Sequence, residues 1–276
     1  MDDFTALETT IRQQQTRYWG KYRAFVADNA DPEKLGRCKL VIPSVLGETT
    51  SVWALPSFAY GGAQGFGIVM VPPVGAQVLA EFLEGDASSP MWSGTFFRTA
   101  DELPEEFAAN DTPTAKVLKT ESGHLLLFED KDGEEAITLR SSAEAVLEMD
   151  PNGSFALTDS GGATVTLDAS AGEIRVEDAN GNSILMSSSG ITLKDASGNE
   201  ISTAASGITV KGTATVTIEG TSVAVGGAGG EPLVKGATFL GMFNAHTHVC
   251  TAPGSPSGPP IPPLTPAVLT TKSTAA

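Results

Sequence analysis

Only two cysteines, Cys38 and Cys250, occur in 276 residues. Two thiols cannot make a disulfide framework, and they fit assembly in a reducing compartment. Basic residues are also scarce: 17 Lys and Arg stand against 33 Asp and Glu, a formal charge of −16. A polyanion of this kind repels phosphate backbones, which argues against DNA or RNA as a partner. Aromatics make up 7% of the chain while glycine reaches 30 residues. That balance points away from an ordinary globular core, toward turns and narrow strands. No long apolar run is present. The most apolar stretch, 66–83, is broken by Pro72, Pro73, Gly75, Gln77 and Glu81, so it reads as buried strand and not as a bilayer span. The opening Met1-Asp2-Asp3-Phe4 has neither the basic nor the apolar part of a secretory signal, so synthesis in the cytoplasm is expected.

What is present divides by composition. Residues 1–18 place Phe4, Leu7 and Ile11 at helical spacing before a Gln13-Gln14-Gln15 run. This predicts a short amphipathic helix, packed on its own domain or serving as a docking arm. Residues 19–98 alternate apolar and polar positions around Tyr22–Val26, Cys38–Ile42, Val52–Leu55, Ile68–Val71 and Gln77–Leu83, with Gly and Pro turns between them. Five or so short strands of this kind suit a small closed barrel. A linker, 99–120, follows.

From 121 to 230 the sequence repeats itself. Val176 to Ile184 aligns with Leu193 to Ile201, and Gly190-Ile191-Thr192-Leu193 with Gly207-Ile208-Thr209-Val210, both at a 17-residue offset. Each unit is a short alternating strand, a Gly/Asn/Asp turn and another strand, which predicts a β-helix or solenoid. Thr213 to Ile218 alternates Thr with Ala, Val and Ile. The apolar stripe is too thin for one chain to bury, so three copies around a common axis are expected, burying the faces and pairing the edges. The competing architecture is a single-chain solenoid, which needs longer coils. Residues 231–276 open on Phe239-Leu240-Gly241-Met242-Phe243 and end in a proline-rich tail from Pro253 to Pro266.

His246-Thr247-His248 is the sharpest chemical feature, because two residues apart on a strand share a face. Two imidazoles per chain are too few for a closed site, but three copies offer six, a count that favours an octahedral iron-like ion over tetrahedral zinc. Cys250 lies two residues further on and reads as a free thiol. Two readings compete with this one: surface histidines without a ligand, and the start of a hydrolase metal site whose further ligands the chain does not supply. Carboxylates such as Glu81, Glu84, Asp86, Glu102, Glu105 and Glu106 read as solvated surface, not as a glycosidase pair. Gly61 to Gly67 precedes a strand where a nucleotide loop would precede a helix. No enzyme is expected.

The segment Pro73 to Gly94, with Gly75, Val78, Phe82, Gly85-Asp86, Pro90 and Gly94, resembles the oligonucleotide/oligosaccharide-binding (OB) barrel of spike proteins. Asp31 to Pro43 and Val52-Trp53-Ala54 are similar to its earlier strands, and Ser122 to Ile137 to the strand–turn–strand that opens the family's β-helix. Asn244 to His248 resembles the iron-binding apex of phage spikes. The family is the central spike (baseplate assembly protein V) of contractile-tailed phages, related to the valine-glycine-repeat spike of type VI secretion.

The resemblance implies an all-β homotrimer with an N-terminal OB barrel, an intertwined triangular β-helix and a pointed metal-binding apex. It implies one iron ion per trimer, held by His246 and His248 of three chains, and a structural role for His124. A separate hub protein is expected at the N-terminal end and the target cell's outer membrane at the tip, in a virion tail baseplate or extracellular injection particle. About twenty residues between barrel and needle leave no room for the lysozyme domain of some relatives. The rival function is a trimeric tailspike or fibre that binds surface polysaccharide. It lacks aromatic platforms, since Phe128 and Phe155 are the only aromatics from Gly123 to Gly230.

Overall fold

The computed structural model describes Glu8 and residues 17–109, 111–221 and 236–247. The chain forms two compact units, Met1–Val210 and Lys211–Ala276. The helix expected over 1–18 falls almost wholly outside the described residues.

The first sheet holds β1 (Tyr22–Asp28), β2 (Lys39–Val41), β3 (Leu55–Ser57), β4 (Gln77–Phe82) and β5 (Pro90–Thr95), in the order β2-β1-β4-β5-β3. A short helix, α1 (Pro43–Leu46), follows β2. Cys38 and Ala54 exchange backbone hydrogen bonds of 3.1 and 2.8 Å, and the Ser51 N–H donates to the Leu40 carbonyl at 2.8 Å. These bonds join the two outer edges, so the sheet closes into a barrel and leaves no edge to aggregate. Ile68–Val71, expected as a strand, is irregular.

Strict alternation sends every second side chain inward. Ala24, Val26, Leu40, Val78, Ala80 and Trp92 are buried, together with Cys38, Ile42 and Ala54. The alanines keep the barrel narrow, and Trp92 fills one end while its indole N–H donates to the Gly36 carbonyl at 3.2 Å. The loop after β1 is organised by Asp31. Its carboxylate accepts from the N–H groups of Glu33, Leu35 and Arg37 and, at 2.6 Å, from the Arg37 guanidinium. The Arg37 bond, aided by those backbone donors, holds the Asp31 carboxyl well below the usual carboxylate range.

Between the sheets lie a 3₁₀ turn, Ala100–Glu102, and α2 (Glu105–Ala108). Glu102 accepts from the Gln77 side-chain amide at 2.9 Å and from the backbone and guanidinium of Arg98. Glu106 has a side chain only 12% exposed and meets Lys119 at 2.9 Å and Arg140 at 2.7 Å. Desolvation works against its charge, yet these two cations leave its pKa below normal. Glu102 therefore ties the linker to the barrel, and Glu106 ties it to the second sheet. Both had read as solvated surface. Arg98 lies only four residues from Glu102, but Gln77 and Arg140 lie 25 and 34 residues from the carboxylates they meet, which spacing cannot reveal.

The second sheet is an eleven-stranded meander in strict sequence order. Its strands are β6 (Ala115–Lys119), β7 (Leu125–Glu129), β8 (Ala136–Arg140), β9 (Val146–Met149), β10 (Phe155–Thr158), β11 (Thr164–Asp168), β12 (Glu173–Glu177), β13 (Ser183–Ser187), β14 (Gly190–Lys194), β15 (Glu200–Ala204) and β16 (Gly207–Lys211). Every strand pairs with its sequence neighbour, antiparallel wherever the register is defined. It is thus neither a stack of single-chain coils nor, over 115–211, dependent on other copies for its backbone pairing. The sheet begins inside the expected linker. Thr213–Ile218, read as a strand, carries no strand in the chain. In the second unit, α3 (Gly236–Ala245) stacks Phe239 on Phe243 with ring centres 5.9 Å apart.

Candidate functional site

Residues opposite one another in a ladder share a face, so the register assigns every side chain of the meander. One column runs Leu118–Leu126–Leu139–Leu147–Leu157–Val165–Val176–Ile184–Leu193–Ile201. Beside it on the same face runs Phe128–Ile137–Met149–Phe155–Leu167–Ile174–Met186–Ile191. The opposite face, from β8 onward, carries Thr138, Glu148, Ala156, Thr166, Arg175, Leu185, Thr192 and Ser202 down its centre, mostly polar or small with Leu185 the exception.

The result is a sheet with a continuous apolar face two side chains wide. At about 4.8 Å per strand it runs for roughly 50 Å. Among the described residues nothing covers it. Leu139 is 53% exposed and Leu157 50%, and Phe128, Phe155, Leu193 and Ile201 are exposed as well. In the two sheets, apart from Ala115 and Leu125 where the meander meets the linker, the buried apolar core lies entirely in the barrel.

The turns at the sheet's two edges repeat one device. Asp150, Asp159, Asp178 and Asp195 each accept, through one carboxylate oxygen, the N–H groups two and four residues on. Asn182 and Asn199 add side-chain donors to Asp178 and Asp195, both at 2.7 Å. The Asn182 bond is the main cause that holds the Asp178 carboxyl down to about 2. Asp195 is lowered the same way by Asn199, and Asp150 chiefly by the Ser154 N–H. Successive turns on an edge are tied together: the Ala196 N–H donates to Asn182 Oδ1 at 3.2 Å, and the Ala169 N–H to Ser154 Oγ at 3.1 Å. His124 belongs to this lacework, because its Nδ1 accepts the Ser142 N–H at 3.1 Å. Gly190 is obligatory, since a Cβ there would lie 1.7 Å from the Thr203 carbonyl oxygen and its φ is +137°.

His246 follows α3 directly. Its N–H closes the last turn on the Met242 carbonyl at 3.1 Å, its Nδ1 meets the Phe243 carbonyl, and its ring lies 5.1 Å from that of Phe243. The chain is thus helical up to Ala245, immediately before His246. His248 and Cys250 lie outside the described residues. Among the described residues no group of three or more His, Cys, Asp or Glu converges to hold a metal within one copy. Cys38 is fully buried, and desolvation pushes its thiol up to about 11, which makes it a packing residue. No described helix is long and apolar enough to cross a membrane.

The barrel closure and the Gly85-Asp86 turn before β5 set the frame for comparison with known proteins. Residues 22–97 match the family described as the type VI secretion system/phage-baseplate injector OB domain. The barrel is similar to that OB domain. The chain is also similar to type VI spike proteins. It is 33% identical over 101 residues to the type VI secretion system spike protein VgrG4b of Pseudomonas aeruginosa, covering 35% of this chain and 12% of that protein. It is 31% identical over 129 residues to the spike protein VgrG3 of Vibrio cholerae, covering 43% of this chain and 12% of that protein. The actin cross-linking toxin VgrG1 of Vibrio cholerae is 30% identical over 116 residues, covering 40% and 10%. The chain thus spans about a tenth of the length of the relatives it matches. An injector OB domain followed by a long antiparallel sheet is the order expected for a phage baseplate central spike.

Proposed function

We propose that the chain is the central spike of a contractile tail or injection-system baseplate, working as a homotrimer and without catalysis. The observation that carries this reading is the uncovered apolar face of β6–β16. Side chains about half exposed gain roughly 1 kcal/mol each on complete burial, so covering the face contributes on the order of 10 kcal/mol per copy. That is comparable to the whole stability of a domain. Three copies, each turning this face to a common axis, make a three-sided prism with a dry interior and the Asp-turn edges outside. Beyond β16, the alternating Thr213–Ile218 would find strand partners in neighbouring copies, and it is there that the chains intertwine.

The proposed role is mechanical. A separate hub holds the injector OB domain, and sheath contraction drives the prism tip-first through the target cell's outer membrane. Every strand between β6 and β16 is bonded on both sides, so axial load is shared across the ladders. At the tip, His246 and His248 of three copies would hold one iron ion, pinning the chain ends. Imidazole nitrogens suit such an ion, and His246 would bind through Nε2, since its Nδ1 faces Phe243. The polysaccharide-binding alternative is disfavoured because Phe128 and Phe155 both lie on the face that assembly covers.

Gold-labelled antibody against a tagged copy should decorate the end of intact contractile particles beyond the sheath, and particles without the chain there would refute the role. Elemental analysis tests the tip separately. His246→Ala with His248→Ala should keep the oligomeric mass and lose bound iron. Unchanged iron content would refute the ligand assignment.

A further inference from the structure

The loop between β3 and β4 is an ordered projection that the spike reading leaves unexplained. Its two ends are anchored in the barrel. Phe58 packs edge-on against Trp92 with ring centres 5.6 Å apart, and Val71 packs on the core. Between them the chain folds back on itself. The Ile68 N–H donates to the Tyr60 carbonyl at 3.0 Å, and the Tyr60 and Phe66 rings pack at a 48° tilt with centres 5.5 Å apart. The tip nevertheless presents Tyr60, Phe66, Ile68, Val69 and Met70 to solvent, with Val69 67% exposed. A fixed loop that displays this much apolar surface is built to be covered.

Two observations say by what. First, from Thr49 to Ala80 no residue carries a charge, in a chain of net charge −16. Symmetry around a threefold axis sets copies of one chain close together, so in a strongly anionic chain a segment without charge meets a second copy with the least repulsion. Second, Met70, Phe97 and Leu118 line one groove between barrel and meander. Leu118 heads the apolar column of the sheet, so apolar side chains reach from the sheet to the barrel through this groove, with Glu102, Lys119 and Glu121 along its rim.

We infer that the loop 58–74 of each copy seats on the barrel-and-groove surface of the neighbouring copy, locking the three injector OB domains at the base of the spike. This rests on the trimeric reading and adds a second, separate contact to it.

The test places p-benzoylphenylalanine at Phe66 or, independently, at Val69 in the full chain, purified with no other protein and irradiated. A covalent dimer on a denaturing gel is expected at both positions, with the attached peptide mapping to 58–76, 96–97 or 115–121 of the other copy. If light scattering reports a trimer and neither position yields dimer, the loop contact is overturned while the trimer stands. If the protein is monomeric, the trimeric reading fails and the inference with it.

Discussion

The barrel and the meander are both antiparallel β-structure, yet they solve burial in opposite ways. The barrel closes on itself through Cys38 and Ala54, and ten side chains make a core that needs no one else. The meander pairs every strand between β6 and β16 on both sides, but among the described residues it has no second layer, and most of the leucines and isoleucines on its apolar face stay partly or largely exposed. Hydrogen bonding and hydrophobic burial are thus separable requirements. The barrel meets both within one copy, and the meander meets only the first.

Substitutions can test that separation. The largest effect is expected from charge on the open face. Leu157→Glu with Leu193→Glu would set three carboxylates together at two levels of the prism. It should abolish association, seen as loss of the trimer by sedimentation, while the tryptophan spectrum of the barrel stays native. An unchanged assembled mass would break the comparison. Next, Leu40→Ala should cost the barrel about 2–5 kcal/mol in denaturant unfolding, as truncation in a closed core does, and leave the oligomeric mass alone. Smaller again is the joint. Glu106→Gln leaves the Lys119 and Arg140 charges without their carboxylate, which should cost about 1–3 kcal/mol and speed proteolysis within 99–114.

The smallest effect comes from the turns. A carboxyl whose folded pKa lies below its ordinary value contributes stability that is full above the ordinary value and is lost as pH falls through the folded one. For Asp178, ordinarily 3.8 and here about 2, acid should loosen the edge turns between those values. Asp178→Asn should make hydrogen exchange at Asn180 and Asn182 less dependent on pH in that window.

Much of this was legible in the sequence. Alternation in Tyr22–Val26 and Gln77–Leu83 gave strands β1 and β4, because one face of each is buried and the pattern records it. The 17-residue offset gave the hairpin rhythm, since the Asp/Asn/Gly turns need those residue types. Other features were not legible. Alternation in Thr213–Ile218 fixes a face but not a partner, and within one copy no strand forms there. Ile68–Val71 is apolar for a reason other than strand pairing. The segment before His246 becomes a helix through apolar pairs at helical spacing, Phe239 with Phe243 among them, despite Gly241. The Glu106 joint depends on Arg140, thirty-four residues away, which no local pattern announces.

Native mass spectrometry of the purified full chain bears most directly on the central claim that the meander's apolar face is completed by identical copies. Three chains per particle, persisting on dilution to nanomolar concentration, is the expected result. A folded particle with the mass of one chain would contradict it.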